Sequence, residues 1–138
     1  MDEESKTGEN RLNHLKRLNN HSEFAKALGF RITDLSYGYA RSELDLDERH
    51  LNWLGTVHGG AIWSLADHTV GALGSVIEKG AVNIQTSFSF ISMAPPGQRI
   101  ISEASLIKET SKTLVAQVEV KTEDDRIIGV GIVTGIKL

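Results

Sequence analysis

The sequence predicts an α+β fold in which an antiparallel six-stranded sheet wraps one long central helix. Three observations carry this. The window from Gly59 to Ile77 is apolar around most of a helical circumference and too long for a strand. Six other runs alternate apolar and polar residues, as half-buried strands do. The later runs are punctuated by turn signals, Ala94-Pro95-Pro96-Gly97, Glu109-Thr110-Ser111 and Glu123-Asp124-Asp125.

Residues 1–10 are polar, show no apolar period and read as a flexible N-terminus. Residues 11–138 then form one domain, with no repeat and no low-complexity linker. Leu12, Leu15, Leu18, Phe24, Ala25 and Leu28 recur at helical spacing. The pattern breaks at Asn19-Asn20-His21, where Ser22 is placed to cap a second short helix that Gly29 ends. Phe30 to Leu35 and Ala40 to Leu46 read as strands joined through Tyr37-Gly38-Tyr39. A loop over 47–56 leads into the long helix, Val57 to Glu78, closed by Lys79 and by Gly80 as the residue after the helix. Four strands follow: Ala81 to Ile91, Arg99 to Lys108, Thr113 to Thr122 and Arg126 to Leu138. A helix this apolar needs cover on the face the sheet leaves free. In a chain of 138 residues a second subunit is the natural supplier, so a homodimer is expected.

Composition excludes several classes. The net charge is −3 and the basic residues are scattered among acidic ones, so no nucleic-acid partner is expected. There is no cysteine, hence no disulfide, thiolate ligand or thiol nucleophile. Met1-Asp2-Glu3-Glu4-Ser5-Lys6 lacks the apolar core of a secretory signal, and a cytoplasmic location is the expectation. The apolar window is broken by glycines and by Asp67-His68 at its centre, which argues for a helix buried in protein rather than in a membrane.

Asp67 is the residue that most needs an explanation. Its neighbours one helical turn away are Trp63, Ser64, Val70 and Gly71, none a cation, so no intrahelical ion pair accounts for it. It reads as a general base or a nucleophile, or else as an acid bonded to a backbone N–H or to a basic residue across a subunit contact. Gly59 and Gly60 open the same helix, where free N–H groups and the helix dipole favour developing negative charge and no Cβ blocks approach. A donor pair and an acid are what acyl transfer to water requires. Yet eight residues of helix separate Gly59 from Asp67, about 12 Å of rise and roughly 80° of rotation, too far to serve one carbonyl. Gly59 of one subunit is therefore expected to work with Asp67 of another.

His58 is placed to orient the loop or hold a substrate group, and Asn52 either to present its amide to a carbonyl or to form a turn. His68 points about 100° away from Asp67 on a helix and is assigned to packing or solvent. His50, His58 and His68 share no helix face, so no metal is expected. Lys108 and Lys112 flank a turn and Arg99 opens a strand; they meet coenzyme phosphates or are simply solvated. Tyr37, Tyr39, Trp53, Trp63, Phe88 and Phe90 line an acyl pocket or belong to the core. No nucleophile elbow, phosphate-binding loop or dinucleotide fingerprint is present.

The stretch from Asn52 through His58-Gly59-Gly60 to Leu65-Ala66-Asp67 resembles the hot-dog-fold acyl-CoA thioesterases of the phenylacetyl-CoA thioesterase type, within the broader 4-hydroxybenzoyl-CoA thioesterase superfamily. The similarity runs over about residues 20–138, including the Ala94–Gly97 turn and the Lys108–Thr113 hairpin. The resemblance implies a hot-dog sheet around the helix, a homodimer with one continuous sheet, and pairing of dimers into a homotetramer. It further implies that the Gly59 N–H and the Asn52 side chain polarise a thioester carbonyl, that Asp67 of the partner activates water, and that His58 supports substrate placement. Gly60, Lys108 and Lys112 are expected to contact substrate. A hydroxyl near the start of the strand after the helix assists the acid in such proteins. Here the stretch reads Ala81-Val82-Asn83-Ile84-Gln85-Thr86, and Asn83 is the residue chosen, a departure from the hydroxyl pattern.

The expected reaction is acyl-CoA plus water giving a carboxylic acid and CoA, with no cofactor beyond the CoA of the substrate. The alternatives are a hot-dog hydratase or dehydratase, whose chemistry rests on a different loop signature, and a non-catalytic acyl-CoA-binding module, which would have lost the acid.

Overall fold

The computed structural model describes the backbone of residues 3–138 and the side chains from Thr7 onward. Two helices, α1 (Glu3–Asn20) and α2 (Glu23–Leu28), precede the hairpin β1 (Arg31–Ser36) and β2 (Tyr39–Asp45). A single 3₁₀ turn, Glu48–His50, leads to α3 (Gly59–Ser75). Four strands complete the chain: β3 (Ala81–Phe90), β4 (Arg99–Glu109), β5 (Thr113–Thr122) and β6 (Ile127–Lys137). The strands form one antiparallel sheet in the order β1-β2-β4-β5-β6-β3, so β3 is an edge although it follows the helix directly.

The sheet wraps α3. Leu65, Ala66, Val70 and Leu73 of the helix are buried against Leu44, Ile100, Ala116, Val118 and Val133 of the strands. One stripe of the helix escapes this cover: Trp63, Ser64, Asp67 and Gly71, one helical turn apart, stay partly exposed. Opposite that stripe Thr69 is fully buried, and its hydroxyl donates to the Leu65 carbonyl and meets Ser42 Oγ. The edge strand β3 exposes Val82, Ile84 and Phe90.

Of the ten residues read as a flexible N-terminus, Met1 and Asp2 lie outside the described residues, and Glu3 to Asn10 have helical backbone as the first turns of α1. Further along α1, where Leu12 and Leu15 are half-buried, Arg11 donates to the Val76 carbonyl at 3.1 Å and Asn19 Nδ2 reaches Ser75 Oγ at 3.3 Å. The long helix is also shorter than Val57 to Glu78. It starts at Gly59 because His58 caps it, and it stops at Ser75, where Ser75 Oγ donates to the Ala72 carbonyl at 2.6 Å. Val76 and Ile77 then bond three residues back, to Leu73 and Gly74, and the tighter turn ends the helix. Gly80, with φ of 82°, closes a later turn onto the Ile77 carbonyl instead of following the helix directly.

The small-helix signals behave as read: Ser22 accepts from Ala25 N–H, and Gly29 sits in the left-handed region at φ 87°. The strand boundaries agree to within a residue or so.

Glycines of β6 make room for an aromatic. A Cβ at Gly131 would lie 2.7 Å from the Phe88 ring and 2.9 Å from the Ser87 carbonyl oxygen; at Gly129 it would lie 2.5 Å from the same ring. Because backbone blocks one side, the ring alone cannot relieve the contact. Gly131→Ala is expected to cost about 1–3 kcal/mol of stability, measured as a fall in the urea midpoint; an unchanged midpoint would show that β3 and β6 yield there.

Candidate functional site

The loop before α3 is locked by hydrogen bonds. Asp47 caps the 3₁₀ turn, and the Arg49 side chain that bonds it holds its carboxyl down to about 2. His50 is buried, with Nδ1 accepting from Asp47 N–H at 2.9 Å and Nε2 donating to the Leu28 carbonyl at 2.7 Å. Its own carbonyl accepts from His58 N–H at 2.7 Å. Between these points Asn52 closes a tight turn: Oδ1 accepts from Leu54 and Thr56 N–H, and Nδ2 donates to Thr56 Oγ1 at 2.8 Å. Asn52 thus serves as the turn former, with one amide proton left over.

This loop delivers His58 as the N-cap of α3. Its Nδ1 accepts from Gly60 N–H at 2.7 Å, and its carbonyl takes Ala61 N–H at 3.0 Å. The two glycines therefore separate in role. Gly60 is glycine because a Cβ there would lie 2.9 Å from the capping nitrogen, and its N–H is already occupied. Gly59 N–H has no acceptor among the described residues, and Gly59 lines a trough together with Gly60, Trp63, Thr86, Phe88 and Phe90. An unpaired first-turn N–H at the positive end of a helix is a site for a developing oxyanion.

Asp67 lies on the uncovered stripe of α3. Asn83 reaches it from β3: Nδ2 donates to Oδ1 at 2.8 Å and approaches the Asp67 carbonyl at 3.4 Å. A bulge follows immediately, between Asn83 and Gln85, where β3 slips register against β6. Asp67 Oδ2 has no partner among the described residues, so the carboxylate is oriented by one oxygen and free at the other. The structure brings Asn83 and Asp67 together. Thr86, the only hydroxyl between Ala81 and Thr86, faces the trough instead.

The remaining expected residues sit elsewhere. Lys108 and Lys112 are exposed at the β4–β5 hairpin, next to Lys137 and hence at the Ala81 end of β3, while Gly59 packs at the Phe90 end. They do not reach Gly59 of the same chain. Trp63, Phe88 and Phe90 line the trough, whereas Trp53 projects from the loop tip, 91% exposed. Tyr37 bonds Glu109; Tyr39 donates to Glu103 at 2.7 Å, and burial together with that carboxylate pushes its phenol up to about 12. Neither tyrosine is at the site. Among the described residues no three His, Asp or Glu side chains converge as a metal would need, and no helix is long and apolar enough to cross a membrane.

With this geometry in hand, the comparisons decide the family. A family model described as the thioesterase superfamily matches residues 54–128, more than half of the chain and the whole stretch from Gly59 to Asp67. The chain belongs to the thioesterase superfamily. It is similar to a provisionally named esterase of Archaeoglobus fulgidus, 32% identical over 101 residues, 73% of this chain and 66% of the relative, so it spans just under two thirds of that protein's length. It is similar to human acyl-coenzyme A thioesterase 13, 28% identical over 103 residues, 72% of this chain and 73% of the relative. Among solved structures, a variant of the phenylacetic acid degradation protein PaaI of Thermus thermophilus superposes with a TM-score of 0.80 at 25% identity, covering 85% of this chain and 100% of that one. This superfamily member has the hot-dog fold, the six-stranded antiparallel sheet packed around α3.

Sequence reasoning missed two parts of the site in this thioesterase-superfamily chain. His50 escaped because its role is to bond backbone; the Asp47-x-x-His50 spacing of a capping box was the available signal. The trough was only an option, although Phe88 and Phe90 stand at alternate positions opposite Gly131 and Gly129, small residues facing large rings.

His68, assigned to packing or solvent, packs against Phe30 with ring centroids 5.3 Å apart, and its Nε2 is buried without a partner among the described residues. Burial pushes its pKa below the usual 6.5, with Asp67 opposing. The unfolded chain therefore takes up this proton first as pH falls, so the stability contributed by neutral His68 is complete above 6.5 and is lost below it. The melting temperature is expected to fall less between pH 7.5 and 5.5 in His68→Leu than in the unsubstituted protein; equal losses would remove His68 as a cause.

Proposed function

We propose that the protein hydrolyses acyl-CoA thioesters, with Asp67 as general base and the Gly59 N–H as oxyanion donor. The observation that carries this is the division of labour just described: one first-turn N–H left free beside an apolar trough, and one carboxylate oriented by Asn83 with an oxygen to spare. The matching region of human acyl-coenzyme A thioesterase 13 supports CoA thioesters as the substrate class.

Water attacks the thioester carbonyl as Asp67 takes its proton. The negative charge that forms on the carbonyl oxygen is held by Gly59 N–H. The C–S bond then breaks, and the sulfur of CoA leaves with the proton returned from Asp67, giving acid and CoA. Asp67 as a nucleophile would give the same products through an anhydride. No cofactor enters this scheme, since CoA is part of the substrate. His58 contributes by capping, which fixes the orientation of the Gly59 N–H, and the leftover amide proton of Asn52 is available to the same carbonyl.

The separation of Gly59 and Asp67 along α3 makes each site composite, the donor from one protomer and the base from its partner. The edge strand β3 and the uncovered stripe of α3 supply the surfaces for such a homodimer, with β3 of each protomer extending the other's sheet. Antiparallel pairing of this kind carries the hairpin of one protomer, with Lys108 and Lys112, toward the Gly59 end of the other, where the lysines are available to CoA phosphates. The exposed outer face of β3 and β6, with Val82, Ile84, Ile132 and Ile136, then suits pairing of dimers into a tetramer.

Asp67→Ala should lower kcat by about 10²–10⁴, with melting temperature and oligomeric state unchanged, in an assay that follows thiol release from a panel of aryl, short-chain and long-chain acyl-CoAs. Undiminished thiol release by this variant would exclude Asp67 as the base.

A further inference from the structure

The trough beside Gly59 stops at a ring rather than at the backbone. Its volume is about 390 Å³, and a second open, largely apolar depression of about 350 Å³ lies next to it, bounded by Thr56, Val57, Ile62, Ile91, Met93 and Ala94, with Ile91 and Met93 exposed. Gly59 and Phe90 line both. The Phe90 ring meets Phe88 edge to face, centroids 5.1 Å apart, and its edge comes to 3.3 Å from where a Cβ at position 59 would be. It therefore stands where the two spaces meet, against Gly59. No charged side chain lines either of them.

We propose that Phe90 is the specificity-determining partition of the site: its ring closes the trough and sets the length of the acyl chain accepted at Gly59, and the Ile62–Met93–Ala94 depression is the extension it shuts off. This rests on the acyl-CoA thioesterase reading. An acyl group with its carbonyl on Gly59 N–H lays its first carbons against Trp63, Phe88 and Thr86 and then meets the face of Phe90. Beyond that point its methylenes stay in water. Each methylene moved into apolar contact strengthens binding about fourfold, so opening the second depression to several of them favours long chains by tenfold or more.

The test is a chain-length profile of Phe90→Ala and Phe90→Leu, the second retaining an apolar side chain in case the first loses its fold. Two readouts are taken: kcat/KM for butanoyl-CoA through dodecanoyl-CoA, and the Kd of the non-hydrolysable S-butyl and S-dodecyl thioethers of CoA. The dodecanoyl-to-butanoyl ratio is expected to rise at least tenfold in Phe90→Ala and by a smaller factor in Phe90→Leu, through KM rather than kcat, with the thioether affinities shifting in the same sense. An unchanged ratio, or a parallel fall for every chain length in the folded variant, overturns the partition. Length-dependent thioether binding without hydrolysis would keep the partition and overturn the thioesterase reading, whereas hydrolysis with a flat shift would do the reverse.

Discussion

Burial of α3 by the strands on every side but one is the constraint on which the other features depend. A helix carrying Leu65, Ala66, Val70 and Leu73 needs apolar cover, which here the curved sheet supplies, and its six strands leave one stripe of the helix partly exposed. The uncovered stripe is where polar chemistry is tolerated. Asp67 sits there, within reach of Asn83 on the edge strand and outside the apolar core that would penalise its charge. The same incompleteness leaves β3 unpaired along one edge among the described residues, so the acid is oriented beside an open sheet edge, the surface that the proposed homodimer uses.

The start of α3 is governed by a different economy of hydrogen bonds. A helix begins with N–H groups that have no partner within it. Here the chain from the Leu28 carbonyl through His50 and His58 satisfies the one on Gly60, and the His58 carbonyl takes the one on Ala61. Gly59 is left over. Gly59 lines a space walled by aromatics, and the loop behind it is fixed by hydrogen bonds, the kind of preorganisation that the proposed oxyanion donor requires. Phe90 packs against the same glycine, so the electrostatic feature and the shape of the pocket are joined at one residue.

The long helix, the order of elements and nearly all strand limits were legible because they follow from periodicity and from turn residues acting locally. The eight-residue separation of Gly59 and Asp67 along one helix was legible too, because both fall within α3. The helix ends were not: His58 capping through Nδ1 and the tightened turn after Ser75 depend on side chains bonding backbone, and the apolar pattern runs past both. The first turns of α1 were missed because Glu3 to Asn10 carry no apolar residue from which a period could be read. Lys108 and Lys112 show a further limit. A turn lysine looks alike at either end of a sheet, and only the β3–β6–β5 register places these two away from the Gly59 of their own chain.

The central claim is that donor and base come from different protomers, and complementation tests it most directly. Asp67→Ala leaves Gly59 intact, while Gly59→Val leaves Asp67 intact but sets a side chain against Phe90 in front of the donor. Each variant alone should be inactive. Co-expressed with different affinity tags and purified through both, the mixed dimer contains one site with both defects and one with neither, and the account predicts about half the thioesterase activity of the unsubstituted dimer. Stable mixed dimers without thiol release would contradict it, because a site built within one protomer gains nothing from such a partner.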